Sequence, residues 1–363
     1  MDILLTTFFY IAISVIASCA FSWAIKVKKA NYGGYLIIFL LLLVLLGTIA
    51  AFREGSGSDS LMYRQHYESQ NFTRRWSAFE GGYIALNVLL YKMGFSYRML
   101  FLCSAFVQSF FVFKTIEHEK EEINVKLALF IYMSSCYFIS FNIMRQMLAV
   151  SMCLYAILCY LDKKLIKSVL LVLLAAQFHK TAYIVLLVFF AKIAFGQKSK
   201  LLNLVIFSLF LFLVFNKSLL NEMYKFFTGR YTGYLSDVMD SDGNILKYYL
   251  KLFPLIFLAI LHFKNYKNDS KYYVIFGLYL TGVILESLDY LSNTQVGRIG
   301  HYFSYLDIVL FPFIAEYKTY FGKRVLASKD TRCVIYMWFL VLFFYNYVYR
   351  NFGELFPYQG FFG

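Results

Sequence analysis

Apolar runs long enough to cross a bilayer recur along almost the whole chain, separated only by short polar connections. They occupy residues 3–25, 34–51, 97–116, 127–141, 143–161, 166–177, 181–195, 201–215, 248–262, 272–288, 298–317 and 333–349. A spanning helix needs about 20 mostly apolar residues, fewer where its neighbours let it stop short. With 60% of 363 residues hydrophobic and 15% charged, such runs are too many for a water-soluble core. The expected fold class is therefore all-α, a polytopic membrane helix bundle. It forms one integral-membrane domain over residues 1–363, with about 12 crossings and additional interfacial helices.

Charge orients the bundle. Residues 1–25 have no basic segment before the apolar stretch, and Lys26, Lys28 and Lys29 follow it, so this run reads as an anchor and not as a cleaved signal. The positive-inside rule then puts the amino terminus outside. Counting alternate connections from there, the inner loops carry 18 lysines and 2 arginines, and the outer side carries 6 lysines and 9 arginines. Residues 80–91 are apolar enough to cross, but a crossing there would turn the lysine-rich loops outward. They read as a helix lying in the outer interface, within an outer loop over 53–96. A second outer loop runs over 216–247.

Several function classes fall away. The six cysteines sit in or beside apolar runs, with neither a disulfide framework nor metal-ligand spacing, and read as small buried hydrophobes. No soluble domain, nucleotide loop or dinucleotide fingerprint is present, so no cofactor is expected and an enzyme of this shape works on something already in the membrane. The net charge of +14 is largely topogenic lysine and carries no argument for nucleic acid.

Orientation alone gives no reason to sort guanidinium from ammonium. Arginine offers a planar fork that binds phosphate oxygens bidentately and keeps its proton, which lysine does not. The outer arginines also stand in otherwise apolar surroundings: Arg53 after the second run, Arg145-Gln146 at the turn between two runs, and Arg298 three residues before His301. His179 lies at another outer turn, whose flanking helices have only about 12 to 15 residues, or roughly 18–22 Å, so this turn is expected below the membrane surface. Charge at that depth marks a functional cavity. In the first outer loop Gly55 and Gly57 permit a tight turn, and Asp59-Ser60 can cap a short helix bearing Tyr63.

At these residues the chain resembles the EpsG-type branch of the Wzy-like O-antigen, capsule and exopolysaccharide polymerases. The matching pieces are Phe52-Arg53 with Gly57, Asp59 and Tyr63; Glu80-Gly81-Gly82-Tyr83; Arg145-Gln146 with Leu148-Ala149; Phe178-His179 through Ala182; Gly229-Arg230-Tyr231 with Tyr234; Arg298; and Pro357-Tyr358. The resemblance implies the C-type glycosyltransferase architecture and a multi-pass protein of the bacterial cytoplasmic membrane. It implies an active site facing the periplasm or exterior, and no nucleotide-sugar donor. The implied partners are an undecaprenyl-diphosphate-linked glycan donor and acceptor, membrane lipid and a chain-length regulator protein.

In that chemistry an acceptor hydroxyl attacks the anomeric carbon of the donor glycan while undecaprenyl diphosphate departs. The enzyme must hold the diphosphate, neutralise its growing charge and take one proton. Arg53, Arg145 and Arg298 are the expected diphosphate ligands, Arg230 is assigned to glycan or phosphate, and Asp59 or His179 is the expected base. His301, Tyr63 and Tyr231 complete the substrate site, with tyrosine rings available to stack on sugars; Asp307 is a candidate partner for one of the cations. A polysaccharide ligase would use the same donor and arginines with another acceptor. A lipid-linked oligosaccharide flippase would show internal repeats and polar residues at the bilayer midplane, and the sequence shows neither.

Overall fold

Every apolar run that falls on described residues is helical, as lipid requires of backbone with no water to bond. The computed structural model describes residues 2–69, 79–195, 245–263, 269–292, 295–321 and 324–360. The expected run over 201–215 lies outside the described residues. The helices are α1 (Ile3–Val27), α2 (Tyr32–Ala51), α3 (Ser60–Glu68), α4 (Gly81–Lys92), α5 (Tyr97–His118), α6 (Val125–Ile131), α7 (Met144–Leu161), α8 (Leu165–Ala176), α9 (Ile184–Phe195), α10 (Ile245–Leu261), α11 (Ser270–Ser292), α12 (His301–Ser304), α13 (Asp307–Ile314) and α14 (Ser328–Phe343). Among the described residues, five helical stretches are long and apolar enough to cross a membrane unaided: Ile3–Val27, Tyr32–Ala51, Tyr97–His118, Met144–Leu161 and Ser328–Tyr349. Val125–Phe141, Leu165–Ala176 and Lys180–Phe189 are shorter apolar helices.

The centre of the bundle is the hairpin formed by Val125–Phe141 and α7. From Leu127 to Phe141 only Ser135 is not buried, and α7 is buried from Met144 to Leu154. The first arm does not hold one helical form. After α6 it passes through a π segment (Tyr132–Tyr137) into a 3-10 turn (Phe138–Phe141), while the Ser134 and Ser135 hydroxyls donate back to carbonyls of the preceding turn. Around this core, the surrounding helices leave Leu4 80%, Phe8 71% and Ile166 78% exposed. In water that much apolar surface would be a liability, and in a bilayer it is the lipid-facing side. Serine and threonine hydroxyls on the same helices donate to carbonyls one turn back, as at Ser14, Ser18, Thr48 and Thr115, which satisfies these polar groups within their own helices.

The connections gather at two ends. At one, Lys28 and Lys114 pair with Glu117, Lys271 with Glu119 and Asp162, His118 with Asp162, and Arg332 with Glu316. At the other, Gly57 N–H donates to Glu354, Asn142 holds Ser58, Arg145 pairs with Glu80, and Gln146 reaches Arg298. The two sets share no residue, which fits the alternation read from the charges. Both ends of helix α4 lie at the arginine-bearing end. Tyr83 near its start bonds the Gln177 carbonyl, and the segment after it bonds Tyr67 and Glu54, partners that all belong to the arginine-bearing end.

One element departs from the all-α expectation. At the lysine-bearing end β1 (Thr319–Phe321) pairs antiparallel with β2 (Arg324–Leu326). Thr319 is buried between His262 and Thr331, while Tyr320 and Val325 stay exposed, so the hairpin is a folded connection between α13 and α14 and not part of the core. At the opposite end the tail 351–360 folds back over the bundle, with Glu54 bridging Gln359 and the Tyr358 hydroxyl donating to the Ile49 carbonyl.

Candidate functional site at the arginine-bearing end

The loop after α2 crosses the turn between the two central arms at van der Waals distance. Gly57 has φ +96°, and a Cβ there would lie 2.5 Å from the Phe141 carbonyl oxygen, so glycine is required on both counts. Immediately beyond, Asn142 accepts bonds from the Ser58 hydroxyl at 2.9 Å and the Asp59 N–H at 3.0 Å. These fix Asp59 at the start of α3. Asp59 occupies the N-cap position but its side chain makes no capping bond. The half-buried carboxylate is instead in electrostatic reach of Arg298 and Arg145. Burial raises its pKa above the ordinary 3.8, and the two guanidiniums pull the other way.

Arg145 lies in the first turn of α7, where the positive helix end disfavours a cation. Its guanidinium pairs with Glu80 and stacks over Phe79 at 4.4 Å and Tyr83 at 5.5 Å. Glu80 also accepts the Lys180 N–H at 3.1 Å, which ties the His179 turn to α7. His179 meets the Thr181 hydroxyl at 2.6 Å and the Tyr302 hydroxyl at 3.4 Å. Burial, with Arg145 and Arg298 nearby, holds its pKa well below 6.5, so the imidazole stays neutral at physiological pH.

The third contribution is the 3-10 turn Gln295–Gly300, which enters α12. The Arg298 carbonyl accepts from Gln146 at 2.6 Å, and its half-buried guanidinium makes no ion pair among the described residues. Three residues on, His301 faces Glu286 of α11 at 2.8 Å, and Tyr302 returns to Thr181 at 3.0 Å. Asp59, Arg145, His179 and Arg298 therefore converge from the first outer loop, α7, the α8–α9 turn and the Gln295–Gly300 turn, with His301 adjacent.

Arg53 and Tyr63 go elsewhere. Arg53 is buried, donates to the Ala50 carbonyl at 2.8 Å, and lies over Phe101 at 4.0 Å and Phe141 at 4.8 Å. Burial pulls its pKa down to about 10. Its Nε has no hydrogen-bond partner among the described residues. Tyr63 packs in an apolar cluster with Tyr67, Tyr83, Leu100 and Phe101. Asp307 is buried, and among the described residues it has no ion pair and its Oδ1 no hydrogen bond. Arg230 and Tyr231 lie outside the described residues. No group of three or more His, Cys, Asp or Glu suited to a metal ion occurs among the described residues.

Sequence reasoning named Glu80 only as part of a family motif, without a role, and passed over Glu286. Both carried a signal: Glu80 begins the apolar stretch 80–91, and Glu286 is the lone acid in the run 272–288. An acid in such surroundings needs a cation or donors, and each meets one of the predicted basic residues.

No curated protein and no solved structure matches the chain. The sequence model of the EpsG family, a family of polysaccharide polymerase-like membrane proteins, matches residues 35–360, a span that takes in every residue of this site, and the chain belongs to that family.

Proposed function

We propose that this protein polymerises undecaprenyl-diphosphate-linked oligosaccharide repeat units into surface polysaccharide at its arginine-bearing end. Family membership supports polysaccharide biosynthesis in a membrane. The observation that carries the finer reading is the meeting of Arg145, Arg298 and Asp59 at one end of the bundle, drawn from segments far apart in sequence. As the anomeric C–O bond breaks, its electron pair passes to the diphosphate, whose charge grows. Two guanidiniums meet that charge with bonds worth about 1.5–3 kcal/mol each. Asp59 is their counter-charge before the diphosphate arrives. The lysine-rich end faces the cytoplasm by the positive-inside rule, so the site opens outward, where assembled repeats are joined.

The test is a deletion strain in which surface polysaccharide is resolved by gel. Loss of long chains with single repeats retained supports the polymerase. Loss of single repeats as well points to a ligase or a flippase, and long chains at the wild-type level would overturn the reading.

A further inference from the structure

Glu286, His301 and the residues around them form a second polar group at the same end, and the diphosphate clamp makes no use of it. Two glycines build it. A Cβ on Gly282 would lie 2.2 Å from the Ser304 nitrogen, and one on Gly300 would lie 2.5 Å from the Gly282 carbonyl and 2.8 Å from the Glu286 side chain. Only with both as glycine can the Gln295–Gly300 turn and α12 press onto α11 closely enough for His301 to reach Glu286. The carboxylate is then fully dressed. Its Oε1 takes His301 Nδ1 at 2.8 Å and the Ser304 hydroxyl, and its Oε2 takes the Tyr248 hydroxyl at 3.0 Å. A carboxylate on Nδ1 selects the tautomer with its proton there and leaves Nε2 as the basic atom. The His301 side chain is 20% exposed, enough for a ligand atom to reach it.

We infer that His301 is the base of the polymerisation and Glu286 its positioning residue, an inference that rests on the proposed function. His179, half-buried with its Nδ1 held by Thr181 and Tyr302 and with two arginines nearby, is poorly placed to accept a proton. Asp59 lies in electrostatic reach of the same two arginines and serves as their counter-charge. His301 stands three residues from Arg298, on a turn that puts Arg298 with the clamp and His301 on the carboxylate. The step balances as follows. The acceptor sugar hydroxyl gives its proton to His301 Nε2, and its oxygen forms the new bond to the anomeric carbon. The bond to the lipid diphosphate breaks, with its electron pair leaving on the diphosphate oxygen. The imidazolium then returns its proton to water. The charged and titratable groups around the pair are Tyr279 on α11, Tyr248 and Lys251 on α10, Tyr305 after α12 and Asp307 on α13.

The experiment measures chain extension in membrane vesicles that carry the cell's own lipid-linked repeats, as a function of pH, with protein levels matched. Losing a general base costs roughly 10²–10⁴-fold. His301→Gln should slow extension by at least about 100-fold, and its residual rate should lose the acid limb that the wild type shows. Glu286→Gln keeps the size and can keep the Ser304 and Tyr248 contacts but removes the charge. A carboxylate favours the imidazolium, so its loss should move the acid limb to lower pH. A purely structural Glu286 would lower the rate at every pH and leave the limb in place. Wild-type extension by His301→Gln, an acid limb that survives in its residual rate, or an unmoved limb in Glu286→Gln would overturn the inference. Arg298→Lys is run alongside. If it abolishes extension while His301→Gln does not, the base assignment alone fails. If neither variant matters, the placing of the reaction at the arginine-bearing end fails with it.

Discussion

At the lysine-bearing end Glu117 and Glu119 each take two basic side chains and a tyrosine hydroxyl, whereas at the arginine-bearing end Arg298 has no ion pair among the described residues. Glu117 takes Lys28, Lys114 and Tyr35, and Glu119 takes Lys271, His118 and Tyr272. At the opposite end Asp59 faces both Arg145 and Arg298 at electrostatic range. The first arrangement is balanced and needs nothing further. The second leaves one guanidinium, that of Arg298, for an anionic ligand to meet. Under the proposed function, lysine suffices where a compact charge closes a network, and Arg145 and Arg298 offer a fork to the diphosphate.

The largest expected effect is at Glu80. Glu80→Ala removes the acid paired with a buried guanidinium, and breaking such a pair costs about 3–5 kcal/mol. Purified Glu80→Ala should melt well below wild type in detergent; an unchanged Tm would show that Arg145 does not depend on Glu80. At the balanced end the loss should be smaller. Lys271→Ala leaves Glu119 with His118 and Tyr272, so about 1–3 kcal/mol should be lost with chain length untouched. Shortened chains in that variant would break the division of labour between the ends.

The same network sets a pH dependence. The cations hold Glu119 below 4.5 and Asp162 below 3.8 in the folded protein. A lowered folded pKa contributes stability that is present above the unfolded value and lost as pH falls through the folded one. Tm should therefore hold at mildly acidic pH and drop once pH passes below those two values. A Tm that is flat through that range would contradict the pairing.

Asp59→Asn sharpens the comparison on the arginine side. As a counter-charge, Asp59 should give at most about a tenfold loss in extension on replacement; a loss of 10²–10⁴-fold would make it the base instead of His301. The smallest effect is expected at Lys163 and Lys164, where arginine should change nothing, because topology reads charge alone.

The helical segments and the two-ended sorting of charge were legible because hydropathy and the positive-inside rule act locally. The convergence of Asp59, Arg145, His179 and Arg298 was legible only as polar residues at successive outer turns. What put Arg53 with Phe101 and Phe141 instead was tertiary packing: the tail 351–360 folds back and seals the α2 end, which no local pattern announces. The Glu286–His301 pair depends on the approach of Gly300 to Gly282, a contact between residues of different elements. The hairpin Thr319–Leu326 was hidden for the same reason, since its strands are only three residues long.

The central claim is that Arg145 and Arg298 act as phosphate-binding forks. The most direct measurement is chain length on a gel for Arg145→Lys and Arg298→Lys at matched membrane protein levels. Lysine preserves the charge and removes the fork, so the account predicts that each variant extends chains about tenfold more slowly or worse, in line with a lost bond of about 1.5–3 kcal/mol. Wild-type chains from both variants would contradict it, leaving those guanidiniums as charge and packing alone.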